Sequence, residues 1–389
     1  MKITGVTIHD VDYGRDFHTF WNPVIVRIDT DAGIYGAGEL GLAYGTGAKG
    51  GIHMIRTLAE TFLIGADPNR IESIWETFFR RTFWGQGGGP IIYGAMSAID
   101  EALWDIKGKA LGVPVYELLG GKVRDEIRVY ANGWYTGLNA PEEYAEAALK
   151  VVADGYDALK FDPFGTTPDG EWRYPRRHIE RDWAILAVKR VEAVRDAVGP
   201  DVDILLDLHG NLGTTDAITY GRMLEASRPF FYEEPVDPMN VACMKKVSAN
   251  VKIPIAAGER LYTRYQFRPY LESQALDILQ PDMGLCGGIT EARKIAAYAE
   301  TYNLHVQPHN CGGPVSTAAG VQLDAAIPNF IIMEWFPYWT DDRYAIVTQA
   351  LEHQQRKGRY RIPDRPGLGI ELNDDYLARF DKLVVGGRP

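Results

Sequence analysis

Ionisable residues recur along this sequence at a regular interval, each near the end of a short apolar segment. From Asp207 to Glu334 the interval between successive residues of this kind is 23 to 27 residues, about the length of one strand and one helix in a barrel of parallel strands. In such a barrel the active site lies where the strands end, so we expect these side chains to converge there. They are Lys160, Asp162, Asp207, His209, Glu233, Glu259, Asp282, His309 and Glu334.

Three of these residues are carboxylates on what we predict to be adjacent strands, namely Asp207, Glu233 and Glu259. Packed together, they would repel each other strongly unless they were protonated or neutralised. Mg2+ prefers oxygen ligands and keeps coordination positions open for water or substrate. The sequence therefore predicts a Mg2+ site with these three residues as ligands.

Two histidines have a setting that suits proton transfer. His209 lies two residues after Asp207, so on one strand both side chains would point toward the barrel axis. His209 could then exchange a proton with a substrate beside the metal, because His titrates near neutral pH. Asp282 and His309 end neighbouring predicted strands, and a carboxylate that holds one imidazole nitrogen leaves the other as a base.

The chain between residues 126 and 360 alternates short apolar runs with amphipathic helical patterns, which is typical of parallel strand–helix units. The number and order of the runs predict an α/β fold with a (β/α)7β barrel of the TIM type. The eight runs are 128–134, 158–163, 203–210, 230–235, 253–259, 277–282, 304–309 and 330–335. Helices are predicted over 141–154, 182–198, 216–226 and 290–302.

Residues 1–125 have a different organisation, with strands first and helices after, and this order predicts a separate N-terminal α+β capping domain. We assign 126–360 to the catalytic barrel and 361–389 to a C-terminal segment that returns to the cap. In the cap, strands are predicted over 2–10, 23–30 and 34–39, and helices over 51–63, 68–83 and 91–111.

Composition and charge exclude several classes of protein. The 389 residues are 46% hydrophobic and carry a net charge of −11, which argues against disorder and against a nucleic-acid-binding surface. Three cysteines without CxxC spacing support neither a disulfide framework nor a cysteine-rich metal site. Since no run of 18 apolar residues and no signal-peptide core is present, we expect a cytoplasmic protein that does not associate with membranes. A homo-oligomer is the default expectation.

Several motifs resemble the enolase superfamily in its mandelate racemase subgroup, and within it the acid-sugar dehydratases of the galactonate dehydratase type. The similarity spans almost the whole chain and keeps the motifs in the same order. The motifs are ALWDIKGKALGVPVYELLGG (102–121), LLDLHG (205–210), FYEEP (231–235), AAGERLYTRYQF (256–267), ILQPDMGLCGGITEARKIAAYAE (278–300), QPHNCGGP (307–314) and PGLGIE (366–371).

The resemblance implies a metal site and a base among the strand-end residues. Mg2+ would be bound by Asp207, Glu233 and Glu259 and would carry the charge of an ene-diolate intermediate. His309, held by Asp282, would form that intermediate by removing the proton α to the substrate carboxylate.

The resemblance also implies roles for the remaining residues. Glu334 matches the family's acid that hydrogen-bonds a substrate carboxylate oxygen and must be protonated to do so, and Lys160 matches a lysine that contacts the substrate carboxylate. Racemases of the subgroup carry a second lysine where this chain has Asp162, so one of two opposed bases is missing. Elimination needs only one base and an acid that protonates the leaving hydroxyl group. His209 resembles the residue that serves as this acid in the galactonate dehydratases.

The resemblance therefore implies Mg2+-dependent dehydration of a small sugar acid, an aldonate or aldarate, to a 2-keto-3-deoxy sugar acid. An epimerase, racemase or cycloisomerase that uses the same enolisation is one alternative, and a barrel that only binds a ligand is another. Substrate specificity is expected in three cap loops that would close over the barrel mouth, 16–22, 44–51 and 84–89, and in the insertion at 164–181.

Overall fold

The computed structural model describes residues 1–14, 21–173, 175, 177–339 and 341–387. The strands are β1 (Ile3–Asp10), β2 (Val24–Thr30), β3 (Tyr35–Leu40), β4 (Glu126–Ala131), β5 (Ala158–Phe161), β6 (Asp203–Asp207), β7 (Phe231–Glu233), β8 (Ile255–Ala257), β9 (Ile278–Leu279), β10 (His305–Val306), β11 (Met333–Trp335), β12 (Arg359–Arg361) and β13 (Asp381–Gly386). The α-helices are α1 (Ala48–Leu58), α2 (Ile71–Arg81), α3 (Pro90–Leu111), α4 (Val115–Leu119), α5 (Pro141–Ala153), α6 (Arg181–Val198), α7 (Thr214–Leu224), α8 (Val241–Ser248), α9 (Thr263–Ser273), α10 (Gly288–Glu300), α11 (Pro314–Ala326), α12 (Asp341–Tyr344) and α13 (Asp374–Leu377).

One sheet is antiparallel, in the order β13-β1-β2-β3, and we call it the cap sheet. Its strand β13 comes from the end of the chain and pairs with β1 near the beginning. The three strands and three long helices predicted before residue 125 all form, within a few residues of their predicted bounds. The short helix α4 was not predicted. The last five residues of the helix predicted over 51–63 form a π-helical turn, Ala59–Leu63, that continues α1.

The second sheet contains the barrel strands, in the order β10-β9-β8-β7-β6-β5-β4-β11, with parallel pairing throughout. A bridge between Val306 and Phe330 closes the ring between β10 and the chain that leads into β11. One of the helices α5 to α11 connects each strand to the next. Within the described residues, eight parallel strands thus alternate with seven helices, and the predicted (β/α)7β barrel is confirmed.

The barrel strands end earlier than their apolar runs predicted. β6 ends at Asp207 and β7 at Glu233, whereas the predicted runs continued to 210 and 235. Asp282 and His309 lie beyond the ends of β9 and β10. The chain leaves the hydrogen-bonded sheet near the barrel mouth, so the predicted site residues lie at the last strand positions or on the loops that follow.

Strand β3 forms one edge of the cap sheet, and α3 covers that edge. An edge strand presents unpaired backbone groups that need partners. Here the N–H of Ala37 donates to Asp105 Oδ2 at 3.0 Å, and the N–H of Glu39 donates to Glu101 Oε2 at 2.8 Å. This contact requires glycine on the strand, because a Cβ at Gly38 would overlap a backbone carbonyl oxygen of α3.

No helix in the described part of the chain is long and apolar enough to cross a bilayer.

We predict that Gly38→Ala destabilises the protein because the added methyl group forces α3 away from β3. Overpacking of this kind costs about 1–3 kcal/mol in the free energy of unfolding. Gly387→Ala is the matched control, since a Cβ there meets no atom within 4 Å, and its effect should stay within about 0.5 kcal/mol. Urea unfolding monitored by circular dichroism measures both changes. Equal stability of the two variants would contradict the close contact.

Candidate active site

A buried ammonium group lies at the centre of the site. Lys160, on β5, is 1% exposed. Its Nζ lies 3.2 Å from Asp207 Oδ2 and 2.9 Å from Glu233 Oε2. The same atom lies 2.8 Å from Glu334 Oε1. Asp207 and Glu233 end β6 and β7 and are paired in register, so carboxylates from three strands meet at one lysine.

The charged groups in this cluster shift one another's pKa values. Burial alone would lower the pKa of Lys160, but the carboxylates of Glu233 and Glu334 raise it well above its usual value. Burial, together with the charge of Asp207, raises the pKa of Glu233 to about 8 although Lys160 opposes the shift. The cluster therefore holds a charged lysine beside carboxyl groups that resist simultaneous ionisation.

Glu334 is surrounded by hydrogen-bond donors. Its Oε1 accepts from Asn132 Nδ2 at 2.8 Å as well as from Lys160, and its Oε2 accepts from the N–H of Asn310 at 2.9 Å. Burial opposes its ionisation, but Lys160 and His309 together hold the pKa of Glu334 well below its usual range. The protonated acid that the resemblance implied at this position is therefore not the form that these contacts stabilise.

The predicted pair of Asp282 and His309 is formed. Nδ1 of His309 lies 2.6 Å from Asp282 Oδ2, and both residues are buried. Nε2 of His309 lies 3.0 Å from Glu259 Oε2 and 3.8 Å from Glu334 Oε2. Burial would lower the pKa of His309, but the charges of Glu259 and Glu334 raise it well above its usual value.

His209 forms a second pair of the same kind, with Asp162. Nδ1 of His209 lies 3.0 Å from Asp162 Oδ2, and Nε2 lies 3.6 Å from Asp207 Oδ2. The geometric reason given for its position was wrong: β6 ends at Asp207, and His209 follows in a left-handed turn with φ +52°. The turn, and not strand alternation, brings His209 toward Asp207.

The three predicted metal ligands lie at neighbouring strand ends, but each contacts a cationic side chain. Asp207 and Glu233 contact Lys160, whereas Glu259 contacts His309. Across the described ranges, no group of three or more His, Cys, Asp or Glu side chains is gathered closely enough to hold an ion. One observation fits a cation: Glu233 Oε1 is buried and has no hydrogen-bond partner among the described residues.

Sequence reasoning missed three contributors to the site. Asp162 was recognised as ionisable, but not as the partner of His209. Asn132 follows β4, and Asn310 follows His309, and both donate to Glu334. Their position just beyond barrel strands is the signal that could have identified them, since polar residues there face the barrel mouth.

The structure places part of the cap and of the insertion near the mouth. Gly41 N–H, at the end of β3, donates to the carbonyl oxygen of Gly284 at 3.0 Å, so the cap contacts the loop that carries Asp282. In the insertion, Arg173 pairs with Asp169 and His178 with Asp216, and the side chains of Arg173 and His178 remain exposed. Positions 16–20, 174 and 176, which belong to the predicted specificity segments, lie outside the described residues.

Family descriptions match most of the chain. Residues 17–120 match the N-terminal domain of the mandelate racemase / muconate lactonizing enzyme family. Residues 143–376 match the family described as enolase C-terminal domain-like.

Individual relatives agree with this assignment. A D-galactonate dehydratase of Variovorax paradoxus (strain S110) is 38% identical over 92% of this chain and 91% of its own length. A D-gluconate dehydratase of Thermoproteus tenax is 38% identical over 87% of this chain and 67% of its own length.

Solved structures share the whole fold. A member of the enolase superfamily from Salmonella Typhimurium is 46% identical, with a TM-score of 0.94 over 99% of both chains. A mandelate racemase/muconate lactonizing enzyme from Jannaschia sp. CCS1 is 34% identical, with a TM-score of 0.89 over 100% of this chain and 99% of the other. The chain therefore belongs to the mandelate racemase/muconate lactonizing enzyme family of the enolase superfamily.

Proposed function

We propose that this protein dehydrates a sugar acid, an aldonate or an aldarate, to a 2-keto-3-deoxy sugar acid. The observation that carries the proposal is the presence of two Asp–His pairs in one barrel mouth. Asp162 and His209 follow β5 and β6, whereas Asp282 and His309 follow β9 and β10. In the order of the sheet these positions are half a turn of the barrel apart. Relatives named as D-galactonate and D-gluconate dehydratases support the same reaction class.

Against the effect of burial, the charges of Glu259 and Glu334 raise the pKa of His309, and a cation bound to Glu259 would offset that effect of the charges. In its neutral form, His309 serves as the base in this mechanism. Its Nε2 removes the proton α to the substrate carboxylate, while Asp282 accepts a hydrogen bond from Nδ1–H and fixes the orientation of the ring. The 2.6 Å contact between Nδ1 and Asp282 already selects that orientation. The electron pair of the broken C–H bond passes into the carboxylate and gives an ene-diolate.

His209 serves as the acid. It donates the Nε2 proton to the β-hydroxyl group as the C–O bond breaks, so water leaves and a carbon–carbon double bond forms. Asp162 holds Nδ1 and stabilises the protonated ring. The resulting enol tautomerises to the 2-keto-3-deoxy acid. Asp162 stands where a racemase has its second lysine, and its engagement with His209 favours elimination over proton exchange on both faces.

Mg2+ is the metal that this site suits. Enzymes of the superfamily use one or two Mg2+ ions to stabilise an ene-diolate. Asp207 and Glu233 end β6 and β7, Glu259 lies two residues beyond the end of the adjacent strand β8, and all three offer hard oxygen ligands. The buried Glu233 Oε1 without a partner among the described residues fits such an ion. We propose these three residues as its ligands, with Lys160 placed to contact the substrate carboxylate. Glu334 would hydrogen-bond that carboxylate only in its protonated form, which the negative charge of the substrate would favour.

We predict that the purified protein with Mg2+ releases a semicarbazide-reactive 2-keto-3-deoxy product from at least one member of a stereochemically complete set of aldonates and aldarates. His309→Asn should lower kcat by about 10²–10⁴-fold or more, because proton transfer is lost. The variant His305→Asn, altered at an exposed histidine at the start of β10, is the control and should keep full activity. Absence of product from every acid in the set would refute the proposed function.

We predict that His209→Asn separates the two steps of the reaction. Without the acid, dehydration should fall by about 10²-fold or more, whereas His309 should still exchange the α-proton of the substrate in D2O. Proton NMR measures both rates. Asp162→Asn should have a smaller effect in the same direction, about 10- to 100-fold on dehydration. Loss of exchange and dehydration together in His209→Asn would contradict the assigned roles, and an inverted α-carbon would indicate epimerisation instead.

We predict that Mg2+ stabilises the folded protein. Binding to the folded state alone adds about 2.7 kcal/mol to the free energy of unfolding at a concentration 100 times Kd. Glu233→Gln should remove this increase because it deletes a charged ligand. Glu291→Gln, which alters a buried carboxylate that binds Arg264 outside the site, should retain it. Isothermal titration calorimetry and thermal unfolding check the prediction, and a Mg2+ response in Glu233→Gln equal to that of the wild type would contradict the ligand assignment.

A further inference from the structure

Two barrel helices begin immediately after the loops that carry the Asp282–His309 pair. α10 follows the Asp282 loop and α11 follows the His309 loop. The residues that precede the two helices are Gly287 and Gly313, and neither helix has a side-chain cap from its own N-cap residue. The first N–H groups of a helix have no partner within the helix and need acceptors from elsewhere.

Glu39 supplies the acceptors for α11. This residue is on β3 of the cap sheet and is fully buried. Its Oε1 accepts from the N–H of Gly313 at 2.5 Å, and its Oε2 accepts from the N–H of Ser316 at 3.1 Å. A carboxylate is well suited to this place because helix N-termini carry partial positive charge. The cap thus holds the start of α11 four residues after His309.

Asp100 supplies the acceptors for α10. It lies on α3, the helix that covers β3, and its carboxylate accepts from both the N–H of Thr290, at 2.9 Å, and the hydroxyl of the same residue, at 2.5 Å. Ser97, one turn earlier on α3, accepts from the N–H of Gly287 at 2.9 Å. The same cap helix therefore fixes the chain that follows Asp282.

The two capping carboxylates belong to one closely packed unit. α3 and β3 approach so closely that a Cβ at Gly38 would overlap α3. At the end of β3, Gly41 N–H donates to Gly284 O at 3.0 Å, and a Cβ on Gly284 would lie 2.8 Å from the Cα of Gly41. The cap therefore contacts both loops of the pair through side chains, and the Asp282 loop through the backbone as well.

We propose that Glu39 and Asp100 are positioning residues that set the geometry between Asp282 and His309. The two members of the pair stand on different loops, so their 2.6 Å contact depends on where each loop is held. A shift of about 1 Å in a catalytic group can cost 10²-fold in rate. This inference rests on the proposed role of His309 as the base. Through Glu39 and Asp100, the N-terminal part of the chain thereby contributes to proton abstraction, although neither residue contacts the substrate.

The variant Glu39→Gln tests the proposal. An amide accepts hydrogen bonds at one oxygen only, so one of the two N–H groups of α11 loses its partner. We expect kcat to fall by about 10- to 100-fold with KM within about threefold of the wild type, since substrate contacts are unchanged. Hydrogen–deuterium exchange measured by mass spectrometry should increase over residues 310–317.

Asp105→Asn is the matched control. Asp105 is also a buried carboxylate on α3, and it accepts from Ala37 and Leu368 without contacting either loop of the pair. The Asp105→Asn variant should lower the melting temperature as Glu39→Gln does. Its kcat should stay within about twofold of the wild type, and its hydrogen–deuterium exchange over 310–317 should be unchanged. If the two variants lose kcat equally at equal loss of stability, Glu39 acts only through overall stability and the proposal is overturned.

Asp100→Asn tests the other contact and serves if Glu39→Gln does not fold. It should raise exchange over residues 283–290 and lower kcat at nearly constant KM. Exchange is measured without substrate, so it reports on the positioning contacts even if no acid is turned over. If the wild-type protein turns over no acid but the variants show the expected increases in exchange, only the proposed function is refuted. If exchange is unchanged in both loops, only the positioning role is refuted.

Discussion

The contact of one buried ammonium group with three carboxylates governs the chemistry of this barrel mouth. Asp207, Glu233 and Glu334 come from different strands, and at such separations their charges could not coexist without compensation. Lys160 supplies that compensation from within the sheet itself. Under the proposed function, an acidic protein would thereby gather the carboxylates that hold Mg2+ and keep positive charge where the anionic substrate binds.

Buried carboxylates have a different use at the contact between cap and barrel. Glu39 and Asp100 lie against N-terminal backbone amides of helices, and Asp105 and Glu101 lie against the edge of β3. Each carboxylate satisfies donors that would otherwise be buried without partners, a loss that costs more than an ordinary hydrogen bond contributes. Carboxylates of the same type thus repel one another around Lys160 in one place and accept hydrogen bonds from backbone amides in another.

The regular spacing of strand-end residues predicted the barrel and most of the site because parallel strands repeat one geometry. Helices α9 and α11 were harder to recognise. α9 contains Pro269, and α11 is buried on nearly all sides, so it lacks the amphipathic period that marks a helix on the surface. The pairing of Asp162 with His209 depends on a left-handed turn after β6, and the low pKa of Glu334 depends on Lys160 and His309, which are distant in sequence. Such contacts follow from tertiary structure and leave no periodic signal.

Position 162 shows how one scaffold can direct a common intermediate to different products. A lysine there would place a second base opposite the first and permit proton return from either face. An aspartate beside His209 instead holds an imidazole by Nδ1 and directs the opposite nitrogen toward the site. Since the fold is shared among enzymes of several activities, the outcome depends on which group meets the intermediate on the face opposite His309. In this chain the group that we propose for that role is an imidazole oriented by a buried carboxylate, which suits departure of a hydroxyl group as water.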